Sequence, residues 1–469
     1  MPRVTQDPVT AAERKLRSAG AADAALRTFL AQVRRVRDGE RGALPEDALE
    51  PVRELPDSGA LAPADPQRAA EVLGQAVVVK LNGGLGTSMG LDGPKSLLPV
   101  KEGLTFLDVI ARQVLRLRER TGVALPLVLM NSFATRDPSL HALDAYPGLV
   151  QPVPRDFLQN KVPKLRADDL TPVSWPDNPD LEWAPPGHGD LYPALVASGM
   201  LEGLLSAGFR YAFVSNADNL GATLSVRLLS WFADSGAPFA MEVADRTAAD
   251  RKGGHLAQRA GEPGSLVLRE LAQTPEADVA AFQDITRHRF FNTNNLWVDL
   301  RALDATLSAS GGVLELPLIV NDKTVDPKDA GSTPVVQLET AMGAAIDALD
   351  GAVAIRVPRT RFGPVKTTND LLAVRSDAYV LDAGARLALD PRRQGMPPDV
   401  DLDTAYFKLV GQLDAHVPDG PPSLVECDRL VVEGDVVFGA GVVVRGDVTV
   451  RADAAAPRHI PAGTVLNGA

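Results

Sequence analysis

A glycine-rich stretch followed by a lysine is the part of this chain whose residue types and spacing could bind phosphate. It runs Lys80-Leu81-Asn82-Gly83-Gly84-Leu85-Gly86-Thr87-Ser88-Met89-Gly90, with Gly93-Pro94-Lys95-Ser96 behind it. An apolar run from Ala76 to Val79 leads directly into it, so the glycines begin where a buried strand must stop. Glycines at the carboxyl edge of a parallel sheet let the backbone approach a phosphate chain closely, and their N–H groups form an anion-binding concavity. Lys95 would add a mobile positive charge. The plainer alternative is a tight strand-to-helix turn that only requires positive φ.

Two familiar phosphate loops do not fit. A Walker A loop needs Gly-Lys-Ser/Thr, but here Pro94 separates Gly93 from Lys95. The dinucleotide fingerprint would use Gly84 and Gly86 and then a glycine at 89, where this chain has Met89.

The elements that must position this loop alternate. Ala76–Leu81, Leu127–Asn131, Tyr211–Asn216 and Phe239–Ala244 read as short apolar strands, and 105–120 and 225–235 as helices. Asp108 near the start of the first of these helices and basic residues at its end suit the macrodipole. The pattern predicts an α/β fold with a doubly wound, mixed but mostly parallel sheet, which binds ligands at the carboxyl ends of its strands. Residues 9–37 carry Leu16, Leu26, Phe29, Leu30, Val33 and Val36 at helical spacing, which predicts an amphipathic helix or helical pair that packs. A Pro- and Asp-rich connector covers 55–67. From 430 to 466 valines alternate with glycines at about six-residue spacing, a pattern that resembles a short hexapeptide β-helix of left-handed coil. That tail is either a homo-oligomer contact or a terminal cap. The expected division is 1–68 helical segment and connector, 69–382 catalytic domain, and 383–469 C-terminal region.

With 469 residues, 45% hydrophobic and 23% charged, the chain can build a large core and two or three domains. A formal charge of −12 argues against general nucleic-acid affinity. Cys427 is the only cysteine, which excludes an intrachain disulfide and a multi-cysteine zinc site. There is no apolar leader and no membrane-length apolar run, so the expected compartment is the cytoplasm.

Further segments fall in order along the chain: Leu129-Met130-Asn131-Ser132-Phe133, Pro185-Pro186-Gly187-His188-Gly189-Asp190, Val214-Ser215-Asn216-Ala217-Asp218-Asn219, Phe291-Asn292-Thr293-Asn294-Asn295, Gln337-Leu338-Glu339-Thr340-Ala341-Met342-Gly343, and Arg361-Phe362-Gly363-Pro364-Val365-Lys366-Thr367-Thr368. Together with the opening loop, this set closely resembles the UTP–glucose-1-phosphate uridylyltransferases of the eukaryotic-type UDP-sugar pyrophosphorylase family, over roughly residues 70 to 460. The resemblance implies a Rossmann-like nucleotidyltransferase fold. It also implies a reaction of UTP with glucose 1-phosphate that gives UDP-glucose and pyrophosphate.

Such a transfer demands positioning and charge neutralisation rather than a covalent nucleophile. By resemblance, Lys95 would neutralise the outer phosphates of UTP and the departing pyrophosphate. Lys366 would sit at the attacking and α-phosphates, where its charge stabilises the transition state. Asp218, two residues past a strand end, would hold Mg²⁺, which takes few protein ligands and several phosphate oxygens; an Asx-turn is the competing role. Leu81, Asn82, Gly83 and Gly84, with Gln159 and Gly187, would read the uracil edge. Asn216 would bond a sugar, and His188 would face the hexose or its phosphate. Gly83 and Gly84 would also border the hexose. Asn292, Thr293 and Asn294 would read hexose hydroxyls, or merely form a strand-end turn. The loop departs from many sugar nucleotidyltransferases in having Thr87-Ser88 where they carry arginine, which leaves Lys95 as its nearest strong cation.

Two other readings compete. A uridylyltransferase for an N-acetylhexosamine phosphate or a broader sugar set is disfavoured by His188 between Gly187 and Gly189, where the acetamido branch tends to have asparagine. A silent UDP-sugar sensor is disfavoured by the joint presence of Lys95, Asp218 and Lys366.

Overall fold

Val77, Val78 and Val79 are buried on both faces of a strand, which is why this segment reads as an unbroken apolar run rather than an alternation. The computed structural model describes residues 7–247, 250–453 and 456–468. Its central sheet has ten strands. In chain order they are β1 (Leu49–Pro51), β2 (Ala76–Asn82), β3 (Leu127–Asn131), β4 (Asp156–Leu158), β5 (Tyr211–Asn216), β6 (Phe239–Asp245), β7 (His255–Arg259), β8 (Leu266–Arg269), β9 (Phe290–Asp299) and β10 (Val353–Arg356). The main path is β1-β7-β9-β5-β2-β3-β4, with β8 beside β7, and β6 joining β9 to β10. All strands except β1, β8 and β9 point the same way, so the sheet is mixed and mostly parallel, as expected from the alternation.

Strand periodicity sorts the two faces. Val78 and Phe213 pack toward the helices Phe106–Thr121 and Val226–Ser235. Val77, Val79 and Val214 pack toward Leu191–Ala197, Met200–Ser206 and Leu300–Ala309. The helix Phe106–Thr121 starts with a capping box. The Thr105 hydroxyl accepts from the Asp108 N–H at 3.1 Å, and Asp108 Oδ2 accepts from the Thr105 N–H at 2.8 Å. Asp108 thus caps by hydrogen bonding as well as by its charge.

The N-terminal residues form a helical pair, Pro8–Ser18 and Asp23–Arg37. Leu16, Phe29, Leu30 and Val33 pack on a three-stranded sheet built from Leu165–Arg166, Leu318–Thr324 and Pro334–Thr340. In the C-terminal region, Asp399–Leu402, Ser423–Glu433, Val443–Arg451 and Val465–Asn467 lie side by side as parallel strands. Val436–Phe438 and Arg458–Ile460 make a second parallel pair. Leu430, Val432, Val444, Val450 and Ile460 turn inward into the core that also covers one face of the central sheet.

The glycine loop departs from a simple strand-to-helix turn. After Asn82 the chain makes two short 3₁₀ turns, Thr87–Met89 and Lys95–Leu97, and a small hairpin before the next α-helix begins at Phe106. It closes on itself: the Lys95 N–H donates to the Gly84 carbonyl at 3.2 Å, and the Leu91 N–H to Gly86 at 3.0 Å.

Candidate active site

The parallel pairing of β2 and β5 sets Leu81 opposite Asn216, so the glycine loop and the Asp218 turn leave the sheet side by side. The Ala217 N–H donates to the Leu81 carbonyl at 3.0 Å and fastens the two exits together. At these carboxyl ends opens a cavity of about 730 Å³. Its wall includes Leu81, Asn82, Gly83, Gly84, Lys95, Gln159, Gly187, His188, Asn216 and Asp218, which are ten of the expected site residues.

Among the described residues Asp218 is the only carboxylate on that wall, and Lys95 and Lys161 are its two cations. Lys95 Nζ donates to Asp218 Oδ2 at 2.7 Å, with both side chains about four-fifths covered (18% and 23% exposed). Among the described residues no cluster of three or more His, Cys, Asp or Glu could hold a metal by protein ligands alone. A lone carboxylate facing a phosphate-sized space fits Mg²⁺, which completes its shell with phosphate oxygens and water.

Asn82 is less free than its sequence position suggests. Its amide nitrogen donates to Asn131 Oδ1 and to Ser139 Oγ, each at 2.7 Å, so the side chain pins the loop and leaves the backbone to face the cavity. Gln159 is the opposite case. Its N–H donates to the Asn131 carbonyl at 2.8 Å, while its side-chain amide has no protein partner among the described residues. That amide lies against Gly83, where any Cβ would collide with its oxygen. Asn160 holds this segment in place, because its N–H and Nδ2 donate to the two oxygens of buried Asp190 at 2.6 and 2.8 Å. Burial pushes the Asp190 carboxyl up to about 7 against those two hydrogen bonds.

Gly187 has φ +80°, and a Cβ there would meet the Thr340 carbonyl oxygen at 2.5 Å, so only glycine fits this turn. The turn presents His188. The Met342 N–H donates to its Nδ1 at 2.9 Å, which fixes the proton on Nε2. Although the ring stands open to the cavity, desolvation lowers the imidazole below its ordinary value, so at neutral pH His188 is a neutral N–H donor and not a cation.

Lys366, Asn292, Thr293 and Asn294 do not line this cavity. Lys366 stands beside it, in an exposed turn before the helix Thr368–Arg375. The Val365 N–H donates to the Asp218 carbonyl at 3.2 Å, and Asp370 Oδ2 accepts from the Lys366 and Thr367 N–H groups at 2.7 and 2.8 Å. Lys366 Nζ lies 6.0 Å from the Phe362 ring centre. Asn292 and Asn294 bond each other: Asn292 Nδ2 donates to Asn294 Oδ1 at 2.9 Å, and the Asn294 N–H donates back at 2.8 Å. Asn294 has φ +58°, a conformation asparagine tolerates. The Thr293 hydroxyl is spent on the Glu242 carbonyl at 2.7 Å.

Sequence reading overlooked several wall residues. Lys161 Nζ lies 4.7 Å from the Trp183 ring centre and 5.7 Å from that of Phe133, so a cation bridges two aromatic rings at the mouth. No spacing could reveal this, because the three residues come from two loops and the short strand Trp183–Ala184, far apart in the chain. Glu270, outside this wall and near Lys366, was also overlooked. Burial pushes its carboxyl up to about 7 while the charge of Lys366 opposes the shift.

The family model described as UTP–glucose-1-phosphate uridylyltransferase matches residues 26–445. The UTP–glucose-1-phosphate uridylyltransferase of Solanum tuberosum is 40% identical over 425 residues, covering 90% of this chain and 84% of that protein. The protein of the same name from Saccharomyces cerevisiae is 42% identical, over 84% of this chain and 77% of that one. A crystal structure of a UDP-glucose pyrophosphorylase point mutant from Leishmania major, in complex with UDP-glucose, superposes with a TM-score of 0.93 at 48% identity, over 99% of both chains.

Proposed function

The chain belongs to the UTP–glucose-1-phosphate uridylyltransferase family, and on that premise we propose that it transfers the uridylyl group of UTP to glucose 1-phosphate, giving UDP-glucose and pyrophosphate. The observation that carries this reading is one cavity walled by the glycine loop, the Lys95–Asp218 pair, the unpartnered Gln159 amide and the His188 donor.

A phosphate oxygen of glucose 1-phosphate attacks the α-phosphorus of UTP in line, and the bond from that phosphorus to the β-phosphate bridge oxygen breaks. Gln159, which offers a donor and an acceptor, reads the uracil edge with the backbone of Leu81, Asn82, Gly83 and Gly84 and with Gly187. Lys95 faces the outer phosphates and the leaving pyrophosphate. Lys366 neutralises the attacking and α-phosphates, and the bond from its neighbour Val365 to the Asp218 carbonyl supports that role. Asn216, whose side chain has no protein partner among the described residues, bonds a sugar hydroxyl. Nε2–H of His188 donates to the hexose phosphate or a hydroxyl. Asn292 and Asn294 offer amides to the hexose, with Thr293 supplying backbone only. Gly83 and Gly84 let the hexose approach. Asp218 would hold Mg²⁺, which when bound supplies positive charge to the triphosphate.

We place the protein in the cytoplasm, since the buried free thiol of Cys427 suits a reducing compartment. The division 1–68, 69–382 and 383–469 is retained as a proposal. The parallel strands of the tail are read as turns of a short left-handed β-helix whose open end could meet a second copy.

Pyrophosphate release from UTP and Mg²⁺ tests the function. Release with glucose 1-phosphate and not with N-acetylglucosamine 1-phosphate is the expected result. Preference for the acetamido sugar would move the protein to the neighbouring specificity, and no release with either, despite UDP-glucose binding, would overturn the enzymatic reading.

A further inference from the structure

Lys80 opens the glycine motif, yet its side chain turns away from the nucleotide cavity into the face of the sheet covered by the helices Phe106–Thr121 and Val226–Ser235. It is 2% exposed. Its ammonium donates to Ser215 Oγ and to the Ala222 carbonyl, each at 2.7 Å. An ammonium has three N–H donors, and the third has no protein acceptor among the described residues. Among the described residues no carboxylate forms an ion pair with it, and Glu242 and Asp218 act on its charge only from a distance. A buried cation without a counter-charge is costly unless it loses its proton or gains an anion.

Space for that anion is present. Lys80 borders a second cavity of about 310 Å³, roughly ten waters by their share of liquid volume. Arg116, Arg120, Arg361 and Arg386 also line it, and no Asp or Glu does. Three of these arginines have carboxylates outside the wall: Arg361 with Glu242, Arg116 with Glu119 and Arg386 with Asp382. Arg120 has no ion pair among the described residues. Ser225 and Val226, at the first turn of a ten-residue helix, complete a wall whose electrostatics favour negative charge.

We propose that this cavity is a second anion site, separate from the nucleotide cavity, that takes a small phosphate-class oxyanion, inorganic phosphate or pyrophosphate. The anion meets Lys80 at its inner end and the arginines at its rim. Its coupling to the nucleotide cavity rests on the proposed function and runs through short links. Lys80 precedes Leu81 on β2, and Ala222 directly follows the turn that carries Asp218. The Arg361 carbonyl accepts from the Asn219 amide at 3.2 Å. Burial lowers the Lys80 ammonium to about 7, with the Arg361 charge adding to the effect and Glu242 and Asp218 opposing it. An anion that fixes the charged form would tighten both the loop strand and the Asp218 turn.

The test is binding, read without turnover so that its failure is distinct from failure of the functional reading. The full chain carrying Lys95→Ala, which weakens anion binding in the nucleotide cavity, is titrated calorimetrically with sodium phosphate and with sodium pyrophosphate. One saturable event per chain is expected to persist. Adding Arg116→Gln, Arg120→Gln and Arg386→Gln, all at exposed positions, should weaken it at least tenfold, and Lys80→Met should do the same. The tighter of the two anions identifies the source, pyrophosphate pointing to the reaction product and phosphate to the free ion. Loss of all saturable binding in Lys95→Ala alone, or unchanged affinity in both the arginine variant and Lys80→Met, would overturn the proposal.

Discussion

Lys95 Nζ lies 2.7 Å from Asp218 Oδ2, although 123 residues separate the two along the chain. The pair joins the cation of the glycine loop to the sole carboxylate of the cavity wall, so each holds the other in position until phosphates arrive. Removing Lys95 leaves Asp218 to repel the triphosphate. On the proposed role, removing Asp218 would take away the one carboxylate of the wall that could hold Mg²⁺. Lys95→Ala and Asp218→Ala should each lower kcat by about 10²- to 10³-fold, the scale seen when one charge-stabilising donor is lost. Because they act as a unit, the double variant should fall well short of the product of the single effects. Steady-state kinetics of the four proteins checks this, and full additivity would contradict the coupling.

Lys366 is exposed and joined to the site only through its backbone neighbour Val365. On the proposed role its ammonium would act on charge that grows in the transition state, so Lys366→Ala should lower kcat with little change in the KM for UTP, on the order of ~3 kcal/mol of barrier. Near wild-type turnover in that variant would sink its assignment.

Gly83 has no room for a Cβ because the Gln159 amide occupies that space. Gly83→Ala should push Gln159 off the base edge and raise the KM for UTP about tenfold, equivalent to ~1.4 kcal/mol, with the melting temperature nearly unchanged. Discrimination between UTP and CTP should fall together with affinity.

Glu242 is fully buried and accepts from both Arg361 Nε and Nη2 at 2.7 Å, from Trp297 Nε1 at 3.0 Å and from Asn295 Nδ2 at 3.0 Å. Glu242→Ala would leave the Arg361 charge uncompensated and should destabilise the fold by about 3–5 kcal/mol, measured by denaturant unfolding. The same network holds Asn219 beside Asp218, so turnover should fall even where the protein remains folded.

His255 and His288 stack in the interior with ring centres 3.9 Å apart, and both are fully buried. Burial lowers His255 well below 6.5, and the neighbouring charges of His288, Arg246 and Arg269 add to this. Burial lowers His288 too, although Glu46 opposes the shift. These two imidazoles therefore bind fewer protons in the fold than in the unfolded chain below about pH 6.5, and their contribution to stability should fall as pH drops from there toward 5, while the raised carboxyls of Asp190 and Glu270 act in the opposite direction. Melting temperatures across pH 5 to 8 check the slope, and His255→Gln should flatten it.

The sequence by itself determined the elements and the chemistry of the loop. Apolar runs such as Ala76–Val79 could only be strands buried on both faces, and the alternation with helical periodicity forced a mostly parallel sheet with its ligand end at the strand termini. Glycines feeding Lys95 pointed to phosphate because backbone approach and positive charge are local properties. What only the tertiary structure decided are relationships between distant residues. The parallel register of β2 and β5 set Asn216 beside Leu81 and so brought Asp218 to Lys95. Asn82 was expected at the uracil edge and Thr293 at hexose hydroxyls or in a strand-end turn, but long-range hydrogen bonds spend their side chains on the scaffold and leave Gln159 free. Lys161 between Trp183 and Phe133, and Lys80 behind the loop, carry no sequence signal. Their roles arise from which side of a strand or loop faces a cavity, and long-range packing fixes that.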